Sequence, residues 1–345
     1  MLQDASIAEK ARPALAFAFG PFGIEKLFAA ADTARLKQAC RMPDELPIGD
    51  FSTAAARQIL ADAEILVTGW GCPMIDAAVL DTAPKLRLIA HAAGSVKHFV
   101  APEVFERGVV VTNAADANAV PVAEFTLAAI LFANKQVFRF RRDYTSKRSF
   151  IGVSQQYDGD AGNWEKRVGI IGASRIGRRV IELLRPFGIE ILLHDPLVDA
   201  SEARRMGATL VPLDELMKSC DTISIHAPLL ASTRGMIDAG MLARMPDGAT
   251  LINTARGGIV DSAALEAELV SGRLWAILDV TEPETPPVDS PLYTLENVLM
   301  TPHIAGAIGR ERHRLGRLVV EEIERYLAGG PLRHSVTIEG LLHQA

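Results

Sequence analysis

The first third of the chain alternates short apolar runs with stretches that suit helices. Helical patterns cover Ser52–Asp62 and Pro73–Thr82. The apolar runs are Ala14–Phe19, Ile65–Thr68, Leu86–Ala90 and Val109–Thr112. Nearly continuous apolar strands that alternate with helices are typical of a parallel sheet covered on both faces. We therefore predict one α/β domain within residues 1–117.

A second series of the same kind occupies the middle of the chain. Its six predicted strands are Lys166–Gly172, Glu190–His194, Thr222–His226, Thr250–Thr254, Trp275–Val280 and Val298–Met300. Six strands alternating with helices match the count of a doubly wound dinucleotide-binding (Rossmann) domain. The predicted fold class is α/β, with two parallel-sheet domains.

Long helical patterns lie on either side of the second series. In the first pattern, Val120–Arg142, Pro121 stands where a first helical turn tolerates it, and the basic end suits the C-terminal dipole. We predict that this helix links the two domains. The second pattern, Gly306–Leu327, is predicted to pack on the first domain.

Composition and charge exclude several functions. A chain of 345 residues suits two domains of roughly 150 residues each, and a charge of −6 disfavours nucleic acid and anionic membrane as partners. The N-terminus lacks a basic segment followed by an apolar core, and no apolar run approaches the roughly eighteen residues of a membrane span. Cys40, Cys72 and Cys220 lie far apart, so neither a disulfide framework nor a metal site is indicated. We expect a cytoplasmic protein without a metal.

The segment VGIIGASRIG, residues 168–177, is the sharpest local motif, because a predicted strand runs there into a helix. Gly172 permits a tight turn and Gly177 permits close packing of helix on strand. The N–H groups of Arg175 and Ile176 at the helix start are candidates to bind a pyrophosphate. Ser174 replaces the expected middle glycine, where it would either crowd the phosphate or donate a hydrogen bond to it. A strand–helix turn without a ligand remains the alternative.

Asp195 ends the next predicted strand, 18 residues after Gly177. This spacing is close to that of the acid that binds the adenosine ribose diol, and a carboxylate there repels a 2′-phosphate. NAD is therefore favoured over NADP. The alternative is a cap or turn acid before Pro196.

Three polar residues follow later strands of the same domain: Arg256 in INTARGG, Glu284 in LDVTEPE and His303 in TPHIAG. Ligands bind beyond the carboxyl ends of strands in open α/β sheets. Reduction of a keto acid needs a cation for the carboxylate and carbonyl, a proton donor, and a group that orients the donor. Arg256, His303 and Glu284 suit these three roles. Taken singly, each has a structural alternative as a cap, a loop residue or a solvated charge.

Further cofactor contacts are predicted at strand ends. Asp279 is placed to accept a hydrogen bond from the nicotinamide carboxamide, and its alternative role is a buried turn acceptor. The other candidates are His226, Thr254 and Ala255.

These segments, in this order, resemble the D-2-hydroxyacid dehydrogenase family, which includes phosphoglycerate, lactate and formate dehydrogenases and glyoxylate reductases. The resemblance spans roughly Ile65–Ala328, and Glu284 follows Asp279 by five residues, where the family's catalytic Glu falls. It implies an NAD domain, residues 118–305, inserted into a flavodoxin-like substrate domain made of residues 1–117 and 306–345. It also implies a homodimer.

The sequence departs from the family in the loop HAAGSVKHF, residues 91–99, whose backbone N–H groups bind the substrate carboxylate in the family. Ala93 and Ser95 stand where glycines are usual, and Gly94 and Ser95 are the predicted substrate contacts. Lys97 and His98 would meet a phosphorylated substrate or remain solvated. Phe125 replaces a histidine that is frequent in the family and says little about chemistry.

The sequence predicts an NAD-dependent dehydrogenase for a small D-2-hydroxy or 2-keto acid. 3-Phosphoglycerate, glyoxylate or hydroxypyruvate, and bulkier keto acids all remain candidates. The chain ends soon after Leu327, which disfavours an allosterically controlled phosphoglycerate dehydrogenase. The alternative is an NAD(H)-sensing corepressor of the same fold, although a sensor would not need Arg256, Glu284 and His303.

Overall fold

The computed structural model describes residues 12–43, 46–154 and 160–342. The prediction that the N-terminus lacks a basic segment followed by an apolar core concerns the first residues of the chain, which lie outside the described residues. The chain divides into two compact units. The terminal unit contains residues up to 118 and from 308 onward, and the central unit contains residues 119–307.

Within the described residues, the strands are β1 (Leu15–Ala18), β2 (Ile65–Thr68), β3 (Leu88–His91), β4 (Val110–Asn113), β5 (Lys166–Ile171), β6 (Ile189–His194), β7 (Thr209–Leu210), β8 (Thr222–Ile225), β9 (Thr250–Asn253), β10 (Trp275–Leu278), β11 (Val298–Met300) and β12 (Ser335–Val336). The helices are α1 (Ala30–Ala39), α2 (Ala54–Asp62), α3 (Ala77–Thr82), α4 (Pro102–Glu106), α5 (Ala115–Asn134), α6 (Val137–Lys147), α7 (Phe150–Ser154), α8 (Arg175–Leu184), α9 (Ala200–Met206), α10 (Leu213–Ser219), α11 (Ala239–Leu242), α12 (Ser262–Val270), α13 (Arg312–Leu327) and α14 (Ile338–Leu342). Short 3₁₀ helices cover Ile24–Lys26, Gly257–Ile259, Pro291–Tyr293 and Gly309–Glu311.

The terminal unit contains a sheet in the order β1-β2-β3-β4-β12, in which β12 alone pairs antiparallel. Isolated bridges join Ala14 to Arg41 and Ala18 to Ile48 on the free side of β1. The two bridges place Arg41 and Ile48 beside β1 at the edge position where a flavodoxin-like sheet has a further parallel strand. Counted with it, the parallel order is 2-1-3-4-5, which is the flavodoxin-like order.

The central unit contains a parallel sheet in the order β7-β6-β5-β8-β9-β10-β11. Numbered within the unit, this is the Rossmann order 3-2-1-4-5-6 with a seventh strand added at one edge. The strand order reverses between β5 and β8. The predicted α/β fold class is confirmed.

Apolar side chains from both faces of each sheet are buried. On β5, Val168 and Ile170 pack into one core of the central unit and Ile171 into another. On β2, Leu66 faces one core of the terminal unit while Ile65 and Val67 face the other. The nearly continuous apolar character of the strands follows from this cover on both faces.

Several predicted elements differ from the structure. The single helix Val120–Arg142 is wrong, because α5 ends at Asn134 and Gln136 is left-handed with φ 54° before α6 begins. Pro121 lies inside α5 rather than in its first turn. The central unit has seven strands and not the six predicted, because the two-residue strand β7 leaves no pattern in the sequence. The last long helix is α13, which begins only at Arg312.

Helix α5 also corrects the prediction that nothing in the chain is long and apolar enough for a membrane span. By length and composition alone, Ala115–Asn134 meets that test within the described residues. Its Ala123, Ala129 and Ile130 are nevertheless buried in a core of the central unit. Helix α5 therefore has the packing of a core helix.

Candidate functional site

The turn after β5 requires glycine. Gly172 has φ +98°, and a Cβ built on it would lie 2.6 Å from the Ala227 nitrogen. A Cβ on Gly177 would collide with the carbonyl oxygen of Gly172. The turn and α8 are thus packed tightly beside the end of β8, where the strand order reverses and doubly wound sheets bind nucleotides.

Ser174 is the N-cap residue of α8. Its hydroxyl oxygen accepts a hydrogen bond from the Gly177 nitrogen at 3.3 Å. A serine cap of this kind stabilises a helix by about 1 kcal/mol relative to alanine. The side chain therefore has a structural task that the family's glycine lacks. Nearby, Arg175 is exposed while Ile176 packs partly into the core.

Asp195 ties the strand end to the glycine turn. Its Oδ2 accepts from the Ala173 nitrogen at 2.7 Å and its Oδ1 accepts from the Leu197 nitrogen at 2.8 Å. Asp195 therefore has the turn role that was the alternative to ribose binding. Each carboxylate oxygen can accept a further hydrogen bond, so this role is compatible with binding a diol.

His226 is buried at the end of β8. Its Nε2 lies 2.9 Å from the Ser224 hydroxyl, and its Nδ1 has no hydrogen-bond partner among the described residues. Burial lowers the pKa of His226 to about 3, so the ring is neutral. The Thr254 hydroxyl lies 3.0 Å from that of Thr126. Both predicted cofactor residues are therefore fixed in place by neighbouring side chains.

Arg256 lies in the loop after β9, and hydrogen bonds to backbone carbonyls of this loop hold it in place. Asn253 Nδ2 donates to the Arg256 carbonyl at 2.9 Å, and Arg256 Nη1 donates to the Ala255 carbonyl at 2.6 Å. Burial lowers the pKa of Arg256 below its ordinary value, while the negative charge of Glu284 acts in the opposite direction. A half-buried guanidinium of this kind gains from binding an anion.

Gly257 joins this loop to the one that carries Glu284. A Cβ on Gly257 would collide with the carbonyl of Thr281 and lie 2.5 Å from the Glu282 nitrogen. The two loops are therefore in direct backbone contact. The first glycine of INTARGG, Gly257, is the sequence signal that could have revealed this contact.

Glu284 and His303 form the central contact of the site. His303 Nδ1 lies 2.5 Å from Glu284 Oε1, a short hydrogen-bond contact between the ring and the carboxylate. The His303 side chain is 50% exposed and the Glu284 side chain is 60% exposed, so a ligand can reach the ring. When Nδ1 carries the proton donated to Glu284, Nε2 is the nitrogen left for other partners.

Asp279 anchors the loop that presents His303. Its Oδ1 accepts from the Thr301 hydroxyl at 2.7 Å and the Ile304 nitrogen at 2.8 Å, and Oδ2 accepts from the Ala305 nitrogen at 2.9 Å. The Asp279 carbonyl accepts from the nitrogen of His303, a residue with φ +53°. The buried turn role is thus present, and Thr301 is a positioning residue that sequence reasoning missed.

The predicted substrate loop lies in the terminal unit, after β3. The Ala92 nitrogen donates to the Thr68 carbonyl at 2.7 Å, and the Ser95 hydroxyl accepts from the Lys97 nitrogen at 3.3 Å. Neither Ala93 nor Ser95 is left-handed, so replacement of glycine costs no backbone strain here. Gly94 and Ser95 are partly exposed and Lys97 and His98 are exposed.

The central unit brings the three predicted catalytic residues together: His303 is bonded to Glu284, and the charge of Glu284 acts on Arg256. Among the residues that the structure describes, no cluster of metal-ligating side chains occurs, and the three cysteines are free thiols. The glycines pack the turn and the start of α8 closely against the end of β8. A strand–turn–helix of this kind, with a helix N-terminus at the point where the strand order reverses, fits a dinucleotide.

A family model described as "D-isomer specific 2-hydroxyacid dehydrogenase, NAD binding domain" matches residues 127–305, slightly more than half of the chain. The chain belongs to the D-isomer specific 2-hydroxyacid dehydrogenase family. The resemblance inferred from sequence and the predicted NAD cofactor are confirmed.

The proteins that this chain resembles are named for different substrates. The D-3-phosphoglycerate dehydrogenase of Archaeoglobus fulgidus is 33% identical over 272 residues, which cover 77% of this chain and 50% of the relative. The glyoxylate reductase of Korarchaeum cryptofilum is 35% identical over 260 residues, which cover 74% of this chain and 77% of the relative. The chain spans about half the length of the phosphoglycerate dehydrogenases it matches.

A solved structure, the apo form of D-mandelate dehydrogenase from Rhodotorula graminis, matches with a TM-score of 0.77 and 25% identity. The match covers 94% of this chain and 98% of that one. The likeness therefore extends over both units.

Proposed function

We propose that the protein is an NAD-dependent dehydrogenase that transfers a hydride between nicotinamide and C2 of a small D-2-hydroxy or 2-keto acid. The observation that supports this most directly is the 2.5 Å contact between His303 and Glu284, with the half-buried Arg256 in the field of the same carboxylate. Acid, orienting carboxylate and cation are the groups that reduction of a keto acid requires.

His303 is the proposed acid and base. Bound NADH supplies the hydride when the keto acid is reduced. With Nδ1–H donated to Glu284, Nε2 gives a proton to the carbonyl oxygen during reduction and takes it from the hydroxyl during oxidation. Glu284 fixes the ring orientation and stabilises the imidazolium.

The substrate carboxylate is the proposed ligand of Arg256, whose planar guanidinium suits a bidentate contact. The N–H groups around Gly94 and Ser95 are proposed to donate to a carboxylate as well. The departures from glycine at Ala93 and Ser95 leave these N–H groups in place.

The proposed cofactor site begins at the turn around Gly172, Ser174 and Gly177, with N–H groups of Arg175 and Ile176 for the pyrophosphate. Asp195 is proposed to accept from the ribose diol. The proposed contacts at the nicotinamide end are His226, Thr254, Ala255 and Asp279.

The substrate size is proposed from the names of the relatives, whereas the cellular location and the assembly are carried over from the sequence and from the family resemblance. The names phosphoglycerate dehydrogenase, glyoxylate reductase and hydroxypyruvate reductase support a small hydroxy or keto acid. A homodimer in the cytoplasm is the further proposal, and gel filtration with light scattering tests the assembly.

A panel of 2-keto acids assayed with NADH tests the proposed function. His303→Gln and Arg256→Lys are expected to lower kcat/KM by about a hundredfold or more on the best substrate, because one loses the proton donor and the other the bidentate contact. Glu282→Gln, in the same loop as Glu284, is the matched control. If the wild type turned over none of the acids and NADH altered its oligomeric state, the protein would instead be an NAD(H) sensor.

A further inference from the structure

Thr281 connects the loop of Arg256 with the loop of Glu284. A Cβ on Gly257, the residue after Arg256, would collide with the Thr281 carbonyl. The Thr281 hydroxyl donates to the Pro283 carbonyl at 2.7 Å and lies 3.1 Å from the Glu284 carbonyl. The backbone of Thr281 therefore meets one loop, and its side chain holds the other.

The turn from Thr281 to Glu284 depends on hydrogen bonds rather than on close packing. Residues 282–284 are exposed. A cavity of about 220 Å³ lies beside the turn, with apolar walls that include Val260, Leu265, Leu278, Val280 and Leu292. Besides the Thr281 hydroxyl, the Ser262 hydroxyl bonds to this turn and donates to the Glu282 carbonyl at 2.9 Å. Because protein interiors are normally filled, a turn beside open space can shift when such a bond is lost.

Thr301 has the corresponding place beside His303. Its hydroxyl donates to Asp279 Oδ1 at 2.7 Å, and the same oxygen accepts from the Ile304 nitrogen at 2.8 Å. His303 lies between these two bonds and is left-handed, with φ 53°. A residue other than glycine keeps this conformation at a cost in free energy, where its surroundings fix it. Thr301 therefore helps to hold the backbone that presents the imidazole.

We propose that the hydroxyls of Thr281 and Thr301 are positioning groups that together set the contact between Glu284 and His303. Thr281 acts through the backbone that carries Glu284, and Thr301 acts through the carboxylate of Asp279. The Glu284 and His303 side chains are at least half exposed, so the placement of the two loops decides whether they meet. This inference rests on the proposed function and adds two positioning residues to its acid–base pair.

In Thr281→Val and Thr301→Val, the hydroxyl is lost while the shape of the side chain stays nearly the same. We expect each variant to lower kcat on the best keto acid by about threefold to tenfold, because a misplaced acid transfers its proton less well. The KM of the keto acid should change less, since neither threonine is proposed to bind it. Thr281→Ser and Thr301→Ser keep the hydroxyl and should retain most of the rate.

The pH profile of keto acid reduction separates positioning from a merely structural role. Glu284 lies against the His303 ring, the charge of Glu284 acts on Arg256, and the Asp279 carboxylate faces N–H groups of the His303 loop. When the contact with Glu284 loosens, the imidazolium is stabilised less. The valine variants should therefore lose reduction at a pH about half a unit to one unit below that of the wild type. A lower rate with an unchanged midpoint in both variants would indicate a structural role and overturn the proposal.

Thr222→Val is the matched control. Thr222 is buried at the start of β8, at the opposite edge of the same sheet, and its hydroxyl donates to Asn134 Oδ1 at 2.7 Å. This variant should keep the rate and the pH midpoint of the wild type. Combination with Glu284→Gln gives a second test, because each valine change should cost a smaller factor once the carboxylate is absent. Equal factors in both backgrounds would contradict an action through Glu284.

Nitrogen NMR of the histidine rings separates this inference from the proposed function, since it needs no turnover. The His303 signals are assigned by their loss in His303→Gln. In the neutral ring, the wild type should carry the proton on Nδ1, and the valine variants should carry more of it on Nε2. This shift without turnover of any keto acid would support the positioning role and refute the dehydrogenase. Turnover with no shift in either valine variant would leave the dehydrogenase and refute the positioning role.

Discussion

The contact between His303 and Glu284 is short, but both side chains are at least half exposed. Solvent screens the Coulomb interaction of exposed pairs, so the stability gained from it is small. The pair therefore adds little to the stability of the fold, and the role proposed for Glu284 is to orient the imidazole.

Replacing Glu284 with Gln should lower kcat about tenfold to a hundredfold, since the amide oxygen still orients the ring but no longer stabilises the imidazolium. Steady-state rates over a range of pH measure the effect, and unchanged thermal melting would show that the fold is intact. The Glu282→Gln variant should keep its rate. Equal losses in the two variants would argue against the specific role of Glu284.

Substitution of Asp195 tests the cofactor preference. Asp195→Asn removes the negative charge and keeps an acceptor for the Ala173 nitrogen, whereas Asp195→Ala also releases the turn. Both should raise the affinity for NADP relative to NAD, by about tenfold or more, because the repulsion of the 2′-phosphate is lost. Fluorescence titration with NADH and NADPH measures the ratio. A ratio that does not change in either variant would exclude Asp195 from the ribose site.

At the scale of elements, the loops after β9 and β10 are held together at Gly257. In Gly257→Ala, the new Cβ must push the backbone at Thr281 away, which separates Arg256 from Glu284. We expect kcat/KM to fall by about a hundredfold or more, since small misplacements of catalytic groups cost about that much. Gly49→Ala, where nothing lies within 4 Å of the new Cβ, is the control for glycine replacement. Full activity in Gly257→Ala would contradict the coupling of the loops.

Sequence patterns predicted the elements that carry their own signal and missed those set by distant contacts. The strands around Gly172, Arg256 and His303 were found from apolar runs and motifs. The break between α5 and α6 was missed, because the apolar pattern continues through it. That break is fixed by contacts far along the chain, in which Asn134 Oδ1 accepts from the Thr222 hydroxyl and Gln136 donates to the Asp160 carbonyl. The pairing of β12 with β4 likewise has no local signal.

At the scale of the whole molecule, a buried histidine lies in each unit. Burial lowers the pKa of His91 and of His226 from the ordinary 6.5 to about 3. Because the unfolded chain binds more protons between these values, the stability contributed by each neutral ring is complete above about pH 6.5. It is lost progressively as the pH falls toward 3.

Urea unfolding measured from pH 7 to pH 5 should show a free energy of unfolding that falls with decreasing pH. Each histidine contributes a slope of up to about 1.4 kcal/mol per pH unit in the unit that contains it. His91→Gln and His226→Gln should each flatten the slope for one unit, although each variant loses some stability at pH 7. An unaltered slope in both variants would show that other groups cause the acid sensitivity.

The strand orders of the two sheets were predictable only in part. The six predicted strands and the glycine motif indicated the Rossmann order of the central unit. The flavodoxin-like order of the terminal unit depends on bridges from Arg41 and Ile48 to the two ends of β1. These two residues carry no strand pattern, so the family resemblance and not the periodicity supplied that order.

The missing side chain at Gly257 has a wider consequence. The backbone after Arg256 touches the backbone before Glu284, and Asp279 fixes the loop of His303. The three loops that carry these residues therefore form one connected block within the central unit. The segment at 91–99 shares no residue with that block. Under the proposed function, residues 91–99 are therefore the segment in which directed evolution toward other acids should begin, because substitutions there leave the contacts among those loops untouched.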